Sequence, residues 1–170
     1  CFMTTANAGS CDLSVLDVTS VVDGDENTPP RVRALDVVNA AGDPVIARPA
    51  ALVASPVDPT VGDACPAEPE GVVWVAYPEC HLVAAITPAT GEIVAGVRFT
   101  DAGTVELTDG DVTCPAQCGG GGTLGPGERP VTLDLVRDTR VGTTRLAIGA
   151  DNSAMLTMVE LDADALPLSF

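Results

Sequence analysis

The sequence predicts an all-β protein built from short antiparallel meanders, and three observations carry that prediction. Apolar residues alternate or run in short stretches without helical spacing. Breaker residues, among 17 Gly and 14 Pro, punctuate those stretches. One strand–turn–strand pattern also returns twice at a near-constant interval.

The clearest stretch is 72–107. Val72-Val73-Trp74-Val75-Ala76-Tyr77 is an apolar run closed by Pro78, and residues 80–87 form a second run. Thr87-Pro88-Ala89-Thr90-Gly91 supplies turn chemistry, with Pro presetting φ and Gly permitting φ > 0. Residues 92–99 alternate, placing Ile93, Ala95, Val97 and Phe99 on one strand face. Asp101-Ala102-Gly103 turns the chain into a fourth strand, Thr104-Val105-Glu106-Leu107. Four strands joined by tight turns make an antiparallel meander, the blade unit of a β-propeller.

The opening residues 4–17 read as strand, polar turn (Asn7-Ala8-Gly9-Ser10), strand. Laid under residues 76–86 they match in type: Ala6 on Ala76, Leu13 on Val83, Val15 on Ala85, Leu16 on Ile86. A third copy spans 146–159, with Gly149, Leu156, Met158 and Val159 in the same places. The interval is 70 residues from Ala6 to Ala76 and 73 from Ala76 to Gly149. Arg48-Pro49-Ala50-Ala51-Leu52 and Arg129-Pro130-Val131-Thr132-Leu133 each precede a strand pair, as the last strand of one blade precedes the next. The expected repeat units are 1–47, 48–128 and 129–170. Their surplus over ordinary blades sits in insertions at 23–30, 58–71 and 108–128.

The pattern strand, Ala-Asn with Gly-Ser, then alternating Ser-Val-Leu-Asp resembles the YVTN-type β-propeller repeat. It is clearest in Thr5-Ala6-Asn7-Ala8-Gly9-Ser10 with Leu13-Ser14-Val15-Leu16-Asp17. Tyr77-Pro78-Glu79 departs from the Asn position, whereas Ala150-Asp151-Asn152-Ser153 keeps the turn chemistry. The resemblance covers about half the chain and implies blade geometry rather than a reaction. Similar proteins are often bacterial or archaeal envelope and surface scaffolds, and some relatives are lactonases or carry cofactors.

Composition narrows the function classes. With 46% hydrophobic but only 3% aromatic residues, the core is expected to be Val, Leu, Ile and Ala. A formal charge of −16, from 24 acidic residues against eight Arg and no Lys, repels nucleic acid and anionic lipid. No stretch approaches the ~20 apolar residues of a membrane-spanning helix. Six Cys without metal-ligand spacing point to disulfides and an extracytoplasmic location: periplasm, outer-membrane surface or secreted. Proximity in sequence pairs Cys114 with Cys118, Cys65 with Cys80, and Cys1 with Cys11. Alternatively, Cys1 is the lipidated first residue of a lipoprotein; strand-like residues immediately after it favour the disulfide.

No catalytic constellation is legible. His81 is the sole histidine, aligns with Cys11 and Ala154, and reads as a structural residue at a strand end. The glycines at 119–122 lack the Lys of a P-loop. Asp23, Asp25 and Asn27 alternate like the start of a calcium loop, but Thr28 and Ala34 stand where Gly and a bidentate Glu are needed. A solvated acidic loop is the preferred reading, and no cofactor is expected beyond that weak calcium candidate.

The expected function is therefore a non-catalytic binding or scaffold module of an envelope or extracellular assembly. The alternative is part of a propeller enzyme, lactonase-like or cofactor-dependent, with its active site outside this segment. Closed propellers use about 4–8 blades, and the third copy is expected to stop short of a full meander. Other chains or further blades are thus expected to complete the ring. A chain that proves intact and monomeric would instead be a β-sandwich.

Overall fold

The computed structural model describes residues 1–22, 24, 29–55, 66–114, 118 and 127–169. Among these, the strands form three antiparallel sheets, each a meander. The first contains β1 (Phe2–Asn7), β2 (Asp12–Asp17) and β3 (Val32–Leu35). The middle sheet contains β4 (Ala51–Ala54), β5 (Val73–Tyr77), β6 (Leu82–Ile86), β7 (Ile93–Phe99) and β8 (Val105–Thr108). The third contains β9 (Pro130–Asp138), β10 (Thr143–Ala150), β11 (Leu156–Leu161) and β12 (Pro167–Ser169). One α-helical turn, α1 (Val18–Val22), follows β2.

The continuous apolar runs of β5 and β6 have a direct packing cause. Every residue in both strands is buried, because the middle sheet is covered on both faces. Val73, Val75, Tyr77, Leu82, Ala84 and Ile86 pack against Leu13, Val15 and Leu35 of the first sheet. Trp74, Ala76, Val83, Ala85, Val97 and Phe99 pack against Leu146, Ile148, Val159 and Leu161 of the third. The two cores thus follow the period-two alternation of the strands. Small residues in register, such as Ala85 beside Trp74, leave room for the one large indole. The sheets also approach along one side: β9 lies against β4 and β5, and β1 lies against β4.

Three expectations need correction. The third copy is a complete four-stranded meander, since β9 pairs with β10 and joins the sheet that follows it. Likewise β4 pairs with β5, so the lead-in strand opens its own sheet rather than closing the preceding one. The alternative of a two-sheet sandwich also fails, because three sheets stack through two separate cores.

The connection from β3 to β4 is held by backbone geometry that only glycine supplies. Val38 N donates to Gly91 O (3.0 Å) and Ile93 N donates to Val38 O (2.9 Å). Gly91 has φ +84, and a Cβ there would collide with the Asp36 carbonyl oxygen. Asn39 is buried with both side-chain polar atoms engaged: Nδ2 donates to Val112 O (3.0 Å), while Oδ1 accepts from Ala41 N and Asp43 N (3.0 and 2.8 Å). Gly42 has the same conformation (φ +85) but open space around its Cα hydrogen. Gly42→Ala should therefore cost only the left-handed backbone penalty, about 1–3 kcal/mol. Gly91→Ala should cost clearly more in urea denaturation, since Asp36 must also move. Equal losses for the two variants would show that the close approach is not stabilising.

Burial also fixes the protonation of the single tyrosine. Desolvation raises the Tyr77 hydroxyl well above its ordinary value. The unfolded chain then ionises near pH 10 while the folded chain does not. The stability associated with neutral Tyr77 is full below pH 10 and is lost as pH rises further, by about 1.4 kcal/mol per unit. Alkaline denaturation monitored by tyrosinate absorbance should show ionisation coinciding with unfolding. A normal titration in the folded chain would contradict the buried placement.

Candidate functional site

The segment between β8 and β9 ties together the tight turns of all three sheets. Cys114 is joined to Cys80 in the 3-10 turn Pro78–Cys80 between β5 and β6. Cys118 is joined to Cys11 in the turn between β1 and β2. Further along, Gly127 O accepts Asn152 Nδ2 (3.0 Å), and Arg129 N donates to Asn152 Oδ1 (2.8 Å). Arg129 Nε also pairs with Asp151 Oδ1 at 2.9 Å. Asp151 and Asn152 lie in the turn between β10 and β11.

These turns are preorganised by their own residues. In the first, Asn7 Nδ2 donates to Asp12 Oδ1 (2.7 Å) and Ser14 Oγ (2.8 Å), while Ser10 Oγ donates to Asp12 Oδ1 (2.9 Å). The Asn and Ser of the repeat motif thus serve turn geometry. Cys11 (φ 57) and His81 (φ 52) both adopt the left-handed conformation immediately before β2 and β6. They are 70 residues apart, so the interval seen in the sequence is matched in backbone conformation.

His81 caps its turn and sits beside the Cys80–Cys114 link. Its Nδ1 lies 2.9 Å from Glu128 O, and Gly127 packs against the ring. This contact fastens the Gly127–Glu128 backbone to the middle turn, and among the described residues no acidic side chain pairs with the ring. Glu79 Oε2, in the same turn, is buried with no hydrogen-bond partner among the described residues. Among the described residues no group of three or more His, Cys, Asp or Glu is arranged to hold a metal ion.

The pairing expected from sequence proximity is overturned. Cys114 does not bond Cys118, and Cys80 does not bond Cys65; each takes a partner distant in sequence. Cys1 is disulfide-bonded, and not to Cys11. Cys65 and the calcium candidate residues Asp23, Asp25 and Asn27 lie outside the described residues. The signal missed was positional: Cys11 and Cys80 fall in the same turn of two copies, within reach of one inserted segment. Asn152 stands in the turn motif of the third copy and Arg129 in the lead-in motif, but neither motif pointed to a contact between them.

Elsewhere an open cleft of about 370 Å³ is lined by Phe2, Val15, Asp17, Arg31, Arg33 and Glu68. Arg33 donates to the carbonyls of Pro88 and Ala89, both at 2.9 Å, and so fastens a turn. Among the described residues no helix is long and apolar enough to cross a membrane. The disulfides are the chemistry of an oxidising, extracytoplasmic environment. No protein-family model matches the chain, and comparison with curated proteins and with solved structures finds no match.

Proposed function

We propose that the chain is a binding or scaffold module of a cell-envelope or extracellular assembly, built from consecutive propeller-type blades. The binding surface is the stapled platform that joins the three turns. One observation carries this reading. A single inserted segment is fixed to three sheets by two disulfides and the Asn152 clamp, which holds loop residues on a rigid frame. Binding usually resides on loops positioned in this way.

The blade reading draws support from the way equivalent faces are used. The Leu13–Val15 face is covered by the middle sheet, and the Val83–Ala85 face by the third. Their counterpart Leu156 remains 62% exposed, as the face of a repeat awaiting its neighbour. The YVTN-type resemblance supports the same architecture.

The test compares the native chain with Asn152→Ala, which frees the segment from the third turn. Surface binding to an envelope protein extract should be saturable and weakened in the variant. Lactone hydrolysis with and without calcium is measured alongside and should stay at the buffer rate. Metal-dependent hydrolysis by the isolated chain would replace this reading with the enzymatic one. Equal binding by both proteins would remove the platform as the contact surface.

A further inference from the structure

The segment between β8 and β9 is fastened by Cys80–Cys114 and by Cys11–Cys118, and the two links differ in their surroundings. Cys80 is 8% exposed and belongs to the core between the first and middle sheets, with Tyr77, Leu82 and Val112. Its partner Cys114 packs against the same cluster. Cys11 is buried too, at 6%, but its partner Cys118 is exposed.

Thiol–disulfide exchange turns that difference into chemistry. A thiolate attacks one sulfur of the link and forms a mixed disulfide, so the rate depends on access as well as on nucleophilicity. A thiolate reaches Cys80–Cys114 only when the surrounding core parts, and such an opening is rare in a folded domain. Reaching Cys118 requires no core residue to move. Opening Cys11–Cys118 also leaves the rest of the fastening in place. Cys80–Cys114 and the His81 contact to Glu128 O still hold the middle turn, while Asn152 and Asp151 hold the third. The first turn keeps its own hydrogen bonds, among them Cys11 N to Asn7 O at 2.8 Å.

We propose that Cys11–Cys118 is a thiol-exchange site, opened at Cys118 Sγ by a dithiol of the thiol–disulfide oxidoreductase class while Cys80–Cys114 stays closed. The first thiolate bonds Cys118 Sγ; the S–S bond breaks and its electron pair leaves with Cys11 Sγ, which takes a proton. The reductant's second thiolate then attacks the reductant's own sulfur, closing it to a cyclic disulfide and releasing Cys118 as a thiol. Two electrons and two protons pass to the link, and an oxidised dithiol reverses each step. The first sheet is thereby unfastened from the segment, reversibly and without unfolding. The site governs how the segment is attached, not what it binds, so it stands apart from the platform reading.

The native chain is treated with dithiothreitol in the absence of denaturant, quenched at intervals with iodoacetamide, and mapped by peptide fragmentation in a mass spectrometer. Labels on Cys11 and Cys118 are expected at least about tenfold faster than labels on Cys80 and Cys114. Trp74 fluorescence, which reports the core between the middle and third sheets, should stay native while the first pair is labelled. A monothiol, mercaptoethanol, then identifies the sulfur attacked: its adduct should sit on Cys118, with the free thiol on Cys11. Equal rates for the two links, or earlier labelling of Cys80 and Cys114, would overturn the proposal. So would labelling of Cys11 and Cys118 only as the Trp74 signal is lost, resistance of both links until denaturant is added, or an adduct on Cys11. Each of these failures leaves the platform reading to its own test with Asn152→Ala.

Discussion

Replacing Cys11 and Cys118 together by Ser lowers the unfolding free energy by about 4–5 kcal/mol on the chain-entropy account. The link closes a sequence separation of 107, against 34 for Cys80–Cys114, and loop-closure entropy grows with the logarithm of length. Removing the Cys80–Cys114 pair should therefore cost less, about 4 kcal/mol. The two links are not independent, because the shorter loop lies inside the longer one. With Cys80–Cys114 intact, the path between Cys11 and Cys118 is shortened, and the first loss shrinks by a few tenths of a kcal/mol. Guanidinium denaturation of both double variants, and of the protein lacking both links, measures this directly. The predicted order is the result at stake: a greater loss for the shorter link, or no loss for either, would sink the entropic account. The folded protein lacking both links should also show faster amide exchange at Gly127 and Arg129, since among the described residues the segment is then held only by its contacts with Asn152, Asp151 and His81.

Much of this fold was legible because the strands announce themselves by what they must pack against. The run from Val72 to Tyr77 has no polar face, and the structure gives the reason: both of its faces are cores. The turn at Asn7-Ala8-Gly9-Ser10 was legible because its chemistry is local, as the Asn7 and Ser10 hydrogen bonds to Asp12 demonstrate. The partner of a lead-in strand is not local. Ala51-Leu52-Val53-Ala54 reads equally well as the end of one sheet or the start of the next, and only tertiary pairing decides.

The platform was harder to read for the same reason. Cys114 and Cys118 are near in sequence, yet each bonds a turn brought close by the stacking of sheets. That stacking follows from burial of strand faces, which periodicity reveals, but which turn each of these two cysteines reaches leaves no periodic trace. Asn152 illustrates the limit. In the sequence it is one polar residue in a turn, while in the fold both of its amide atoms hold a chain that arrives from another sheet.

Trp74→Ala is expected to cost about 3–5 kcal/mol from lost packing alone. The indole is fully buried between the middle and third sheets, among Leu146, Ile148 and Ala165. It also has a polar task, since Nε1 donates to Ala165 O at 3.1 Å within that core. Ala165 closes the β11–β12 turn in a left-handed conformation (φ 61), while Asp162 N donates to Leu166 O (2.8 Å) and Asp162 Oδ1 accepts from Leu166 N (2.9 Å). The tryptophan thus fastens a turn of the third sheet to the face of the middle one. Trp74→Phe separates the two contributions. It keeps most of the apolar volume but leaves the Ala165 carbonyl buried without its donor, at a cost of about 1–3 kcal/mol. Chemical denaturation followed by circular dichroism gives both values without relying on the only tryptophan as reporter. Hydrogen exchange supplies a local readout: in Trp74→Phe the amides of Asp162 and Leu166 should open before the strands of the middle sheet. A loss below about 1 kcal/mol for Trp74→Ala would mean that the third sheet is not packed on this face. A Phe variant as damaged as the Ala variant would instead assign most of the effect to the single hydrogen bond.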